Sequence, residues 1–272
     1  MLRNLVAKCA LIVSQITKIP RSSVNQYELK ILNSFSEKSD LLLIDVGART
    51  DTVFVQGQEN SRIFLIEGNP FFAQILRFKL FFKRPGRCVK VENFFVSDKD
   101  APTTIYYRKS QSMFKNVMLP GDRESIVRVP QMRLDTFLVS RDISEIDFIK
   151  FDIEGNDYHG LLSLGDFLDK CRYIQFELGV TQSWSGSVFN LEMYYSLLQS
   201  TFSLYLIRDD RNPLFARIDK DIDLIELDLD ALEIVTGFLD QLIGFNCFAI
   251  SKKLNESLPV GLVKGRLDKR SL

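Results

Sequence analysis

The chain has 272 residues, 46% of them hydrophobic and 26% charged, with 35 basic side chains against 35 acidic ones. That content excludes a globally disordered chain, and the length suits one large domain or two small ones with a sizeable core. A formal net charge of zero gives no support to nucleic-acid binding by bulk electrostatics.

Leu2, Leu5, Val6, Cys9, Ile12, Val13 and Ile16 recur at helical spacing and predict an amphipathic docking helix. A signal or membrane-surface role is the alternative; Lys8 interrupts the apolar run, no small-residue cleavage site follows, and the stretch is too short to span a bilayer. Pro20 stops this element, and Ser22 or Ser23 can cap a second helix running to about Phe35.

Leu41-Leu-Leu-Ile-Asp-Val-Gly47 is a continuous apolar run ending in an acid and a glycine, the pattern of a strand covered on both faces. Arg62-Ile-Phe-Leu-Ile-Glu67 repeats it with Glu67 at its end, a Phe-rich helix follows, and Cys88 to Glu92 gives a third strand. Strands alternating with helices imply parallel, right-handed crossover units. A glycine turn after the first strand and an acid closing the second is the arrangement that cradles a nucleoside: the glycine lets backbone approach, and the acid accepts from ribose hydroxyls.

Residues 101–137 break the rhythm. Thr103 to Tyr107 and Ile126 to Val129 predict a β-hairpin turned at Pro120-Gly121, its polar 108–125 loop lying over the site. Ile146 to Ile153 is a buried strand that ends abruptly in Asp152, Glu154 and Gly155. Two carboxylates and a glycine there are costly without partners or a ligand, and ligands of open α/β sheets bind outside the carboxyl ends of the strands. Further strands are expected at Tyr173 to Glu177, Phe202 to Ile207 and Phe245 to Ile250, with helices at Leu191 to Leu198 and around Leu229 to Ile243. The division expected is an N-terminal helical extension (1–37), a main domain (38–252) and a loosely held polar tail (253–272). Cys9, Cys88, Cys171 and Cys247 are scattered without metal spacing, three of them within or beside apolar runs. They read as reduced thiols, which suggests a cytoplasmic setting.

In order, Ile44-Asp-Val-Gly-Ala48, Ile66-Glu-Gly-Asn-Pro70, Val96-Ser-Asp98, Arg133-Leu-Asp-Thr-Phe137 and Ile149-Lys-Phe-Asp-Ile-Glu-Gly155 together resemble the FkbM-type S-adenosylmethionine-dependent methyltransferases, over roughly Leu41 to Glu177. The resemblance implies an α/β class I methyltransferase (Rossmann-like) fold, with a seven-stranded, mostly parallel sheet, an antiparallel last strand and helices on both faces. It implies S-adenosylmethionine as cofactor and O-methylation of a hydroxyl on a sugar, glycan or secondary metabolite, that is, a small-molecule or glycan acceptor. Carried over by residue, Asp45, Gly47 and Ala48 form the turn at the methionine side. Glu67 holds the ribose, and Ser97 with Asp98 lies near the adenine. Asp152 and Glu154 sit beside the sulfonium and acceptor. Asp152 is the first choice of general base, with Glu154 or Glu177 next; no metal is expected, since neither pair has histidine support.

Plainer roles stand beside these. Asp45 and Asp98 can cap helices or turns, Gly155 can close a turn, and Glu177 can pair with a basic side chain at the sheet edge. His159 is expected at the surface, and Trp184 in the core or an acceptor pocket. One departure from the family pattern matters: after Asp-Val-Gly-Ala the family has Asn-x-Gly, whereas this chain has Arg49-Thr50-Asp51. Asp51 brings an acid towards the cofactor carboxylate, and Arg49 can offset it or pair with it. That turn favours a second reading, a non-catalytic binding or scaffold module. A third, a nicotinamide-dependent dehydrogenase, lacks the full G-x-G-x-x-G.

Overall fold

The computed structural model describes residues 25–35, 38–50, 52–55, 61–83, 88–107, 114–115, 125–153, 155–178, 191–239 and 244–267. The expected first helix, Asp51, the tip of the hairpin, Glu154 and Trp184 lie outside them.

The apolar runs form the centre of one sheet. Its strands are β1 (Leu42–Val46), β2 (Arg62–Ile66), β3 (Val89–Glu92), β8 (Ile146–Phe151), β9 (Cys171–Leu178), β10 (Phe202–Ile207), β11 (Leu224–Glu226), β12 (Phe245–Ser251) and β13 (Lys264–Arg266). The spatial order is β3-β2-β1-β8-β9-β12-β10-β11-β13. β1 pairs in parallel with β2 and β8, and β8 with β9, while β12 runs antiparallel to both β9 and β10. This is the class I methyltransferase order, with the direction reversed at β12 as expected. The chain order reverses between β1 and β8, so a crevice opens beyond their carboxyl ends.

Period-two alternation divides the core between the sheet's faces. Leu42, Ile44 and Val46 of β1 pack with Phe151, Phe176 and Ala249 on one side, under the helices Leu134–Ser140, Asp157–Leu162, Leu191–Leu198 and Leu229–Leu239. Leu43 packs on the other with Phe148 and Phe248, under the helix α1 (Gln26–Asn33). Phe148 is the aromatic hub there, with ring centroids 5.6 Å from Phe35, 5.2 Å from Phe54 and 5.9 Å from Phe248. Each fully buried side chain of this size contributes about 1.5–3 kcal/mol.

Three expectations need correction. α1 is capped by Asn25, not by Ser22 or Ser23: its side chain accepts from Tyr27 N and donates to Arg208 O at 3.0 Å. The sheet has nine strands among the described residues, because the short β11 and β13 extend the edge. Residues 253–267 are accordingly not a loose tail: β13 pairs with β11, and Leu262 and Leu267 are buried. Lys264, Gly265 and Arg266 show no apolar alternation, so nothing local marks them as a strand; Gly265 fits because a Cβ would lie 2.5 Å from the Ile222 side chain.

The hairpin forms as expected: β5 (Ala101–Tyr107) pairs antiparallel with β7 (Ser125–Met132), extended by β4 (Phe95–Val96) and β6 (Phe114–Lys115) into a second, four-stranded sheet. Cys171 and Cys247 are buried thiols, whereas Cys88, just before β3, is exposed. No helix among the described residues is long and apolar enough to cross a membrane.

Candidate functional site

The turns that leave β1, β2 and β8 meet at the carboxyl edge of the sheet. Gly47 has φ +91, and a Cβ there would stand 2.0 Å from the carbonyl oxygen of Asp152. Only glycine allows that approach. Gly47 N donates to Ile66 O at 2.9 Å, and Asp152 N donates to Val46 O at 2.9 Å, so the three turns are stitched by backbone bonds. Ala48 is buried in the same turn.

Glu67, buried at the end of β2, joins two of these turns. One carboxylate oxygen accepts from Arg49 N at 2.7 Å and the other from Asn69 N at 2.6 Å. Burial raises its pKa to about 7 against those two bonds. Arg49 itself is a non-glycine residue at φ +52, and Lys79 donates to the next carbonyl, Thr50 O, at 2.5 Å. Among the described residues, Arg49 Nε and Asn69 Nδ2 are buried without a hydrogen-bond partner. Buried donors left open beside a buried acid are costly unless a ligand supplies acceptors.

A charged row lies along the same edge. Asp45 of β1 stands opposite Lys150 of β8 in the sheet register. Lys150 Nζ lies 3.2 Å from Asp152 and 3.5 Å from Glu28, which α1 contributes from the far end of the sequence. Burial raises the Asp45 carboxyl to about pKa 6, opposed by Lys150 and by the Thr52 hydroxyl, which donates to it. Burial alone would lower the Lys150 ammonium, but the carboxylates of Asp152, Glu28 and Asp45 raise it well above its ordinary value. Asp152 is the accessible member: its side chain is 44% exposed, against 14% for Lys150.

A second cluster follows Gly155. Asp157 is fully buried, accepts from Glu177 N at 3.3 Å through Oδ1, and leaves Oδ2 without a partner among the described residues. Burial, then the Asp152 and Glu177 charges, raise it to about pKa 8. His159 is not the surface residue expected: its side chain is half-buried, with Nδ1 3.5 Å from the Asp98 carboxylate. Ser97 donates to Asp98 at 3.1 Å, and Arg133, which also clasps Asp135, donates to Asp98 O at 2.9 Å.

The structure thus brings Asp45, Gly47, Ala48, Glu67 and Asp152 together. Glu177 joins through Asp157, while Ser97 bonds Asp98, which pairs with His159, on the same helix as Asp157. Sequence reasoning gave no role to Lys150, Glu28 or Asp157. For Lys150 the signal was present: a lysine inside the run Phe148-Ile-Lys-Phe151 sits in a buried strand and requires a counter-charge. Among the described residues, no group of three or more His, Cys, Asp or Glu side chains is placed to hold a metal ion.

A family model described as the methyltransferase FkbM domain matches residues 45–204. No curated protein matches the chain. Among solved structures, precorrin-6y C5,15-methyltransferase from Geobacter metallireducens is 12% identical, with TM-score 0.41 over 85% of this chain and 93% of that one. Precorrin 8w decarboxylase from Methanobacterium thermoautotrophicum is also 12% identical, with TM-score 0.41 over 86% and 94%. The bifunctional kinase-methyltransferase WbdD is 10% identical, with TM-score 0.46 over 88% of this chain and 46% of that one.

Proposed function

Because the chain belongs to the FkbM methyltransferase family, we propose that this S-adenosylmethionine-dependent methyltransferase is an O-methyltransferase acting on a hydroxyl of a sugar, glycan or secondary metabolite. The observation that carries the reading is the contrast along the carboxyl edge. Asp45 and Glu67 are buried, while Asp152 keeps 44% of its side chain exposed beside the same glycine turn. An accessible carboxylate there can meet a hydroxyl that arrives from solvent.

The residues present fit the cofactor. Glu67 is a buried acid with lone pairs left for ribose hydroxyls, and the open donors Arg49 Nε and Asn69 Nδ2 flank it. The Gly47 turn supplies close backbone approach. Bound there, S-adenosylmethionine supplies an electrophilic methyl group on a sulfonium. Asp45, Gly47 and Ala48 line its methionine side, and Ser97 and Asp98 its adenine side. Asp152 would align the acceptor hydroxyl and take its proton while the methyl carbon exchanges its bond to sulfur for one to that oxygen, the neutral thioether leaving with the electron pair. Lys150, held by Glu28, fixes the position of the Asp152 carboxylate. Glu177 is the further carboxylate on this edge, and the family resemblance adds Glu154, which lies outside the described residues.

The test is methyl transfer from a labelled donor to a panel of saccharides and hydroxylated metabolites, beside matched amines. A methyl ether as product supports the reading. Methylation of nitrogen or carbon in place of the hydroxyl overturns it.

A further inference from the structure

Arg49 stands where the family pattern has an asparagine, and its surroundings give it a task. Its backbone amide bonds Glu67 at 2.7 Å, Lys79 secures the following carbonyl, and its φ of +52 is one that a side-chain-bearing residue rarely adopts. Its Nε is buried and has no hydrogen-bond partner among the described residues. The turn is thus fixed at its backbone, and the methyl donor expected beside it has one anionic group. S-adenosylmethionine carries a sulfonium, an ammonium and an α-carboxylate. Asp45, Glu67 and Asp152 suit the cationic groups and repel the carboxylate. Lys150, the nearby cation on β8, is engaged by Asp152 and Glu28.

We infer that Arg49 binds the α-carboxylate of the methyl donor, so that this chain anchors the amino-acid end with a guanidinium from the β1 turn. The inference rests on the S-adenosylmethionine reading above. A planar fork of N–H donors matches a carboxylate through two parallel hydrogen bonds, which a lysine or glutamine cannot reproduce. The competing role for the same side chain is to neutralise Glu67, whose charge it stabilises.

Calorimetric titration with two ligands separates these roles. S-adenosylhomocysteine has the α-carboxylate; 5′-methylthioadenosine has the adenine, ribose and sulfur but no amino-acid end. Arg49→Gln should weaken S-adenosylhomocysteine about 10- to 100-fold, the range of a hydrogen bond to a charged group. It should leave 5′-methylthioadenosine within about twofold. Arg49→Lys keeps a charge in the turn and provides a second variant should glutamine lower the unfolding midpoint; its loss should be smaller and confined to S-adenosylhomocysteine. An equal loss for both ligands overturns the inference in favour of Glu67 neutralisation. No loss for either overturns it as well. A natural protein that binds neither ligand removes the methyl-donor reading itself, and the inference with it.

Discussion

The backbone amide of Arg49 donates to the Glu67 carboxylate at 2.7 Å, tying the turn after β1 to the end of β2. With Asn69 N on the other oxygen, Glu67 both builds the site and offers its remaining lone pairs to a ligand.

Glu67→Gln separates those two duties from the rest of the site. A carboxamide has one acceptor oxygen, so Arg49 N or Asn69 N loses its partner, costing about 1–3 kcal/mol of stability. Loss of the acceptor for ribose should weaken S-adenosylhomocysteine by about 1.5–3 kcal/mol. Burial holds the natural carboxyl near pKa 7, so the ionised form that binds hydroxyls is depleted below that pH. Affinity of the natural protein should therefore fall roughly tenfold per pH unit below 7, and the Gln variant should lose that slope. Identical titrations for the two proteins would remove Glu67 from the binding site.

Gly47→Ala should be the most damaging small change in the turn. The backbone sits at φ +91, and the added carbon would meet the Asp152 carbonyl at 2.0 Å. Left-handed backbone alone costs roughly 1–2 kcal/mol for a residue with a Cβ, and relief of the contact must part β1 from the turn after β8. Thermal unfolding should show a clear drop in midpoint together with lost S-adenosylhomocysteine binding. A variant with the natural midpoint and affinity would show that the turns can separate freely.

The sheet and much of its edge were legible because each central strand is a short apolar run closed by an acid. Burial of Asp45 and Glu67 follows from those runs and from nothing farther away. The partnership of Lys150 with Glu28 was not legible. It joins residues from opposite sides of the sheet's first crossover, and only the docking of α1 creates it. Asp157 was missed because an acid in the first turn of a helix ordinarily faces solvent, whereas here the helix presses it against the end of β9. β13 escaped because two of its three side chains are exposed cations.

Asp157 should impose a pH dependence on stability. Burial and the neighbouring acids raise its folded pKa from 3.8 to about 8. A group raised in this way stabilises the fold fully below its unfolded pKa, and the contribution is lost as pH rises through the folded value. Between pH 4 and pH 8 the contribution of Asp157 should thus decline steadily. Asp157→Asn, which carries no charge to bury, should flatten the dependence and raise the midpoint at pH 8 relative to the natural protein. Denaturant titrations at pH 5 and pH 8 decide it: an unchanged pH slope in the variant would mean that Asp157 is already compensated.

Asp152→Asn tests the chemistry directly. The side chain is the exposed carboxylate of the edge, and its ion pair with Lys150 at 3.2 Å fixes its position. Asparagine keeps the shape and can still hydrogen-bond a hydroxyl, but it cannot accept the proton released on methyl transfer. Turnover should fall by roughly 100-fold or more, the contribution of a positioned general base, while S-adenosylhomocysteine affinity stays close to natural. The ion pair complicates this, because Lys150 also neutralises Glu28 and Asp45. Removing one of three surrounding acids leaves a cation that is still compensated, so the fold should survive. A Lys150→Met protein, by contrast, strands those acids and should lose about 3–5 kcal/mol of stability. The two variants therefore move different quantities: Asp152→Asn lowers turnover at a near-natural midpoint, and Lys150→Met lowers the midpoint first. Natural turnover in Asp152→Asn would exclude Asp152 as the base and pass the role to Glu177 or Glu154, the remaining carboxylates expected beside the acceptor.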